Sequence, residues 1–325
     1  MCIRDSFYFE CFGKRDELLN VAIVRGSFDL LSDGKIRIAP SQSPVVVADC
    51  YRGQPTTSSV EVETDLLPLK QNADITFDSV AYPPSGMPSK RWEVSVVVGK
   101  IDKKLAVTGP RFWYRTPILG WQLTEPAPTD KVPLQYELAF GGRSNSGDGL
   151  AYEENPVGLG YVSNLDICND RVRAPQIEEL HDPIRGLGKR HVPAGLGPIA
   201  KHWMPRRALC GTADENWKQQ RWPMRPTDFD FDYYNSASNE LTYPGLLNGD
   251  ECVSLYGLSQ RGKIEFSLPN ISVTMFAISV ENEIELAEMT LDTLHVDTEN
   301  SKVFLTWRFS WSKTSPLDTI QLTID

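Results

Sequence analysis

The stretch Val303-Phe304-Leu305-Thr306-Trp307-Arg308-Phe309-Ser310-Trp311 settles the fold class. Val303, Leu305, Trp307, Phe309 and Trp311 fall on one side of a two-residue repeat, and Thr306, Arg308 and Ser310 fall on the other. Successive side chains of a β-strand point to opposite faces, so this period marks a half-buried antiparallel strand. Asp297-Thr298-Glu299-Asn300 supplies the turn before it.

The same reading extends outward from there. Val21–Leu31 alternates apolar and polar residues, Ser32-Asp33-Gly34 is a turn signal, and Lys35–Ile38 returns as a second strand. The runs Val45–Ala48, Ile75–Ala81, Val94–Val98, Leu105–Thr108 and Leu134–Phe140 predict further strands. So do Cys252–Tyr256, Lys263–Leu268 and Ile271–Ile278, with a turn over Ser267–Asn270. From Gly141 to Gly249 the character changes: Gly and Pro recur at short intervals, interleaved with aromatics such as Phe229, Phe231, Tyr233 and Tyr234. A structureless loop of that length does not suit a compact protein. The segment reads as a packed but irregular insertion with one short helix near Ala208–Gln219.

The expected fold is therefore mainly β: an antiparallel sandwich-like body with an irregular Gly/Pro/Trp-rich insertion and little helix. Residues 7–140 form an N-terminal β region, 141–249 the insertion and 250–325 a C-terminal β region, in one integrated domain. Residues 1–6 (Met-Cys-Ile-Arg-Asp-Ser) resemble the translation of a transposon-derived sequencing adapter and stand outside this reading.

Composition removes several classes of function. The 325 residues are 41% hydrophobic and 23% charged, which is ordinary globular usage. No window approaches the ~18–20 continuous apolar residues of a membrane-spanning helix, and no secretory signal is present, so the chain is expected in the cytoplasm and off the membrane. Cys2, Cys11, Cys50, Cys168, Cys210 and Cys252 lie far apart with no C-x-x-C pair, which predicts reduced thiols and neither a disulfide framework nor a zinc site.

Each pattern that suggests chemistry has a simpler explanation. In an extended chain, Asp228, Asp230 and Asp232 would share one face, opposite Phe229, Phe231 and Tyr233, and such oxygen ligands suit a hard cation or a hydrolase cleft. The stretch lacks the Gly and downstream Glu of a calcium loop, so it reads as a strand with buried aromatics and solvated carboxylates. His191 and His202 lack the i, i+4 spacing of a zinc-protease helix, and no G-x-S-x-G elbow is present. Cys210 with His202 or His191 would be a nucleophilic dyad only if folding joined them. Ala194-Gly195-Leu196-Gly197-Pro198 resembles a phosphate cradle but lacks a G-K-[ST] ending, and Pro198 removes an N–H such a loop would use. No catalytic, metal or cofactor residue is assigned.

Charge says more. The chain carries a net −10, yet Arg185–Arg225 holds nine Lys/Arg against two acids, whereas Glu281–Glu299 holds seven acids and no Lys or Arg. Opposed fields of this kind steer charged partners or pair internally. The basic segment also holds Trp203, Trp217 and Trp222, and Trp and Arg are the types enriched at interface hot spots. Trp203, Arg206, Arg207, Trp217, Arg221 and Trp222 are accordingly the candidate partner-binding residues. Overall acidity argues against nucleic acid, whose binding is dominated by phosphate electrostatics.

Ten phrases in order carry a resemblance. They are Lys70 and Asp74 with Pro84–Pro88, Val98–Lys100, Lys104–Trp113, Pro133–Gly142, Asn155–Gly160, Ala174–Glu178, Pro193–Trp203, Gly211–Trp217, Asp228–Asn235 and Gly245–Glu251. Over Val21–Pro269 the chain resembles an uncharacterised bacterial domain family encoded beside type VI secretion genes, next to valine-glycine-repeat spike (VgrG) and PAAR-tip proteins. Pro110, Ala213 and Ser236–Glu240 depart from the family's pattern. The resemblance implies a cytoplasmic adaptor or chaperone that binds a secreted effector or a VgrG/PAAR spike protein and aids its loading. It brings no catalytic residues. The alternatives are a hydrolase with an Asp-rich site at 228–232, or an exported structural or toxin component. Oligomeric state has no signature in the sequence.

Overall fold

The computed structural model describes residues 5–144, 146–167 and 169–324; Cys2, Cys168 and the first four residues of the adapter-like segment lie outside them. The Val303–Trp311 pattern becomes the strand Lys302–Ser312, which lies inside the largest sheet. On one side it pairs antiparallel with Leu18–Leu30 and on the other with Thr290–Asp297. Ser6–Phe12 and Ile36–Ile38 extend the sheet beyond Leu18–Leu30. Ala73–Asp78 adds to Thr290–Asp297 in parallel, and Thr242–Tyr243 closes that edge. A second sheet runs Ile177–Glu179, Ile101–Thr108, Arg91–Val98, Cys252–Tyr256 and Lys263–Ser267, all antiparallel.

The two sheets face each other across one core. Val24, Ile75, Phe77, Leu294, Val303 and Leu305 of the first sheet meet Val94, Val96, Leu105, Val253 and Leu255 of the second. Leu196, Trp203, Leu241 and Tyr243 of the middle segment join the same cluster, as does Tyr136 just before it. The insertion is therefore a wall of the core, and its aromatics contribute burial that the short strands alone could not. The fold is mainly β, built of several antiparallel sheets with one α-helix, Glu215–Gln220, among the described residues.

Four local expectations are corrected. Val45–Ala48 is no strand; it runs as an extended strap whose Val46 N–H donates to the Asp65 carboxylate at 2.9 Å. Leu134–Phe140 is interrupted by the 3-10 turn Tyr136–Leu138. The Asn155 amide donates to the Tyr136 and Phe140 carbonyls at 2.8 and 3.0 Å, taking acceptors that a strand would have offered to a neighbour. The Asp228–Tyr233 alternation forms no strand either: Phe231–Tyr234 is a 3-10 turn capped by Asp230, whose side chain accepts the Asp232 N–H at 3.0 Å. The helix expected near Ala208–Gln219 is split by Gly211 (φ 76°) into the 3-10 turn Arg206–Cys210 and the helix Glu215–Gln220.

The half-buried reading of Lys302–Ser312 also changes. Its polar face is covered, by a strap over residues 45–70. Arg308 Nε donates to Asp292 Oδ2 at 2.6 Å, and its Nη1 donates to the Asp65 and Leu67 carbonyls at 2.6 and 2.7 Å. Thr306 Oγ1 donates to Asp65 Oδ1 at 3.2 Å, and Arg25 Nη1 pairs with Asp65 Oδ2 at 3.1 Å. Beside them Thr76 Oγ1 meets His295 Nδ1 at 2.9 Å, and Lys70 Nζ joins Asp74 at 2.7 Å. The space left among these groups is about 20 Å³, roughly one water. This layer is an ionic cement between sheet and strap.

Candidate functional site

Two features could carry function: the exposed part of the basic, aromatic segment, and a cleft at the mouth of Lys103. The basic segment divides sharply between core and surface. Trp203 is 1% exposed, lies edge-on to Tyr136 at 5.6 Å and donates its indole N–H to His202 at 3.0 Å. Arg206 is 4% exposed; it donates to the Tyr233 and Ile199 carbonyls and pairs with Glu63. Neither can meet a partner, and both hold the insertion to the core. Arg207, the next residue, is half exposed and pairs with Glu153 at 3.0 Å.

Trp217, Arg221 and Trp222 do come together. Asp214 accepts the Trp217 N–H at 2.8 Å and starts the helix Glu215–Gln220 in the manner of an N-cap. The Trp217 indole N–H donates to the Met224 carbonyl at 2.8 Å, which folds the chain back and sets Trp222 edge-on to Trp217 at 5.8 Å. Arg221 is tied to Asp16 at 2.9 Å. Trp222 is left 68% exposed on this frame. Asp214→Ala removes the cap and should cost about 1 kcal/mol, read from the urea midpoint at unchanged slope.

Of the nine basic residues, Arg190, Lys201, Arg206, Arg207, Lys218 and Arg221 have carboxylate partners, none of them in Glu281–Glu299. The segment's charge is thus largely balanced close by, which strengthens the case against a phosphate-binding face. Among the described residues, the only ion pair of the acidic stretch is that of Asp292 with Arg308.

The cleft encloses about 350 Å³ and is lined by Tyr136, Tyr152, Ile199, Met204, Glu179 and Glu240, among others. Ile177–Glu179 pairs with Ile101–Thr108, which brings Glu179 beside Lys103; Lys103 Nζ donates to Glu179 at 2.8 Å and to Glu240 at 2.6 Å. Burial raises the Glu179 carboxyl above its ordinary value, with Lys103 pulling the other way. Glu179, His181 and Glu240 present ligand atoms within 4.8 Å of one another, close enough to share a cation. The Lys103 ammonium already supplies that positive charge to Glu179 and Glu240, so the donor set is an ion pair that faces the cleft through the exposed Glu240.

The other sequence candidates disperse. Asp228 accepts from Thr212 N–H and Oγ1 at 2.9 and 2.7 Å, and these bonds hold its carboxyl below the usual range. Asp230 is spent on its cap, so the three carboxylates converge on nothing. His191 pairs with Asp182 at 2.9 Å, His202 accepts from Trp203, and no hydrogen bond among the described residues joins Cys210 to either. The Ala194–Pro198 loop packs inward: a Cβ on Gly195 would meet the Tyr136 ring at 2.6 Å. Sequence reasoning missed the Lys103 cleft, because its members come from six separate stretches between Lys103 and Glu240.

Fold and sites together define a mainly β protein of several sheets whose insertion displays Trp222 on its surface. The chain belongs to the DUF2169 family, described as an uncharacterized protein conserved in bacteria, which matches residues 15–308. No curated protein and no solved structure matches it.

Proposed function

We propose that this protein is a cytoplasmic, non-catalytic adaptor or chaperone of type VI secretion. In this reading it binds an effector or a VgrG/PAAR spike-tip protein and aids its loading. The observation that carries the reading is Trp222: a large aromatic residue, 68% exposed, packed edge-on against Trp217. An ordered aromatic anchor loses little conformational entropy on binding, which is what a hot spot requires. The phrases that carry the type VI resemblance support the rest, including Gly211–Trp217, whose last residue packs against Trp222. The Lys103 carboxylates, already paired with an ammonium, and the dispersed Asp228–Asp232 carboxylates favour binding over turnover.

A tagged chain recovered from its host should bring down an effector or a spike subunit, identified by mass spectrometry. Trp222→Ala should change folding stability by less than about 0.5 kcal/mol, as is usual for a surface site. It should weaken capture by about tenfold or more. Adding Arg207→Glu and Arg221→Glu should weaken it further, most at low salt. Recovery of neither class of partner, or undiminished capture by the folded triple variant, would count against this surface.

A further inference from the structure

A second surface lies on the opposite kind of charge, and its reading is independent of the Trp222 surface. Val273–Ser279 is the centre of a three-stranded sheet, with Ile284–Glu288 on one side and Leu317–Ile324 on the other. The register pairs Phe276 with Leu286 and Ile278 with Ile284, so these four apolar side chains share the outward face. Ile284 is 65% and Leu286 67% exposed.

Ile284–Glu288 is also an edge with an open ladder. The Met289 N–H donates to the Val273 carbonyl at 2.7 Å and the Ser279 N–H to the Glu283 carbonyl at 2.9 Å. These two bonds set the phase of the pair: Glu285 and Ala287 turn their backbone toward Val273–Ser279. The N–H and C=O groups of Ile284, Leu286 and Glu288 therefore point away from the sheet. Glu285 and Glu288 put one charge on each face of this edge, yet it exposes two branched apolar side chains at successive outward positions, which protected edges seldom do. Beneath the edge, a cleft of about 440 Å³ opens between Ala277, Glu283 and Glu285 on this sheet and Trp311 on the large one.

Charge identifies the occupant. Glu281, Glu283, Glu285 and Glu288 have no cationic partner among the described residues, and the run Glu281–Glu299 contains no Lys or Arg. A second copy of this edge would set carboxylates against carboxylates. We propose that Ile284–Glu288 is a strand-addition site for an extended partner segment that alternates apolar and basic residues. Its main chain completes the ladder, its apolar side chains cover Ile284 and Leu286, and its basic side chains reach Glu285 and Glu283 over the cleft.

The test uses the full chain and three fluorescein-labelled nine-residue peptides, read by anisotropy. One peptide alternates Lys and Val, one alternates Glu and Val, and one keeps the lysines but replaces alternate valines by proline. The Lys/Val peptide should bind at least tenfold tighter than both others. The proline peptide has the same charge and cannot form the ladder, so equal binding of the two basic peptides would reduce the effect to non-specific attraction and overturn the proposal. Glu281→Lys, Glu285→Lys and Glu288→Lys together should reverse the preference toward the Glu/Val peptide; an unchanged preference would also overturn it. Dimerisation of the unmodified chain that disappears on Ile284→Lys would assign the edge to a second copy instead.

Discussion

Arg308→Ala should be the most damaging single substitution in the chain, costing about 3–5 kcal/mol, because it removes one partner of a buried ion pair. Arg308 and Asp292 are both nearly inaccessible, at 2% and 1%. Alanine would leave the Asp292 carboxylate without its charge partner and would strand the Asp65 and Leu67 carbonyls that Arg308 now satisfies. The strap over residues 45–70 is held to the sheet largely by these bonds, so its loss should expose the polar face of Lys302–Ser312. The expected result is a large drop in the urea midpoint and early proteolytic cleavage in the strap. Arg308→Met with Asp292→Leu should recover much of the loss, since a buried pair replaced as a unit by apolar residues is often neutral. A single variant as stable as the unmodified protein would show that the ionic layer contributes little.

That layer also marks where sequence reading stops. Cys252–Tyr256 was legible because Val253 and Leu255 point to one core and the flanking residues do not. Arg308 stood in an equally clean alternation, and alternation alone equates polar with solvated. Its burial depends on Asp65 and Asp292, which are 243 and 16 residues away, and no local pattern announces such pairing. Thr290–Asp297 shows the same effect: Asp292 and His295 disguise a strand that is buried on both faces, so the stretch reads as merely acidic.

The candidate surfaces were legible in composition and not in placement. Arg206 and Arg207 are adjacent and chemically alike, yet the 3-10 turn sends one into the core and the other to the surface. Trp203 and Trp222 differ in the same way: Trp203 packs edge-on to Tyr136, and Trp222 edge-on to Trp217 outside. A composition-based choice of hot spots must therefore take in structural residues of the same types. At Ile284–Glu288 the signal existed and was masked: Ile284 and Leu286 alternate correctly for a strand, but the glutamates around them dominate any charge count.

His295 should give the protein a measurable acid sensitivity between about pH 6.5 and 4. Burial, with Arg25 adding to it, lowers the imidazole from its ordinary 6.5 to about 4. The folded state therefore holds His295 neutral, hydrogen-bonded to Thr76, over a range in which the unfolded chain would protonate it. Wherever the unfolded state binds more protons, stability rises with pH. The contribution is thus fully present above the unfolded value and is lost as pH falls through the window to the folded one. A shift of this size corresponds to about 3 kcal/mol across the window. Glu179 works in the opposite sense, because its raised carboxyl favours the folded state at lower pH, so the unmodified protein alone would understate the effect. Comparison with His295→Gln isolates it: glutamine can keep a hydrogen bond to Thr76 and does not titrate. Urea denaturation of both proteins at pH 7 and pH 4.5 should show the unmodified chain losing about 2–3 kcal/mol more than the variant. Equal losses would mean that His295 is already protonated in the folded state, and that the layer between sheet and strap admits water.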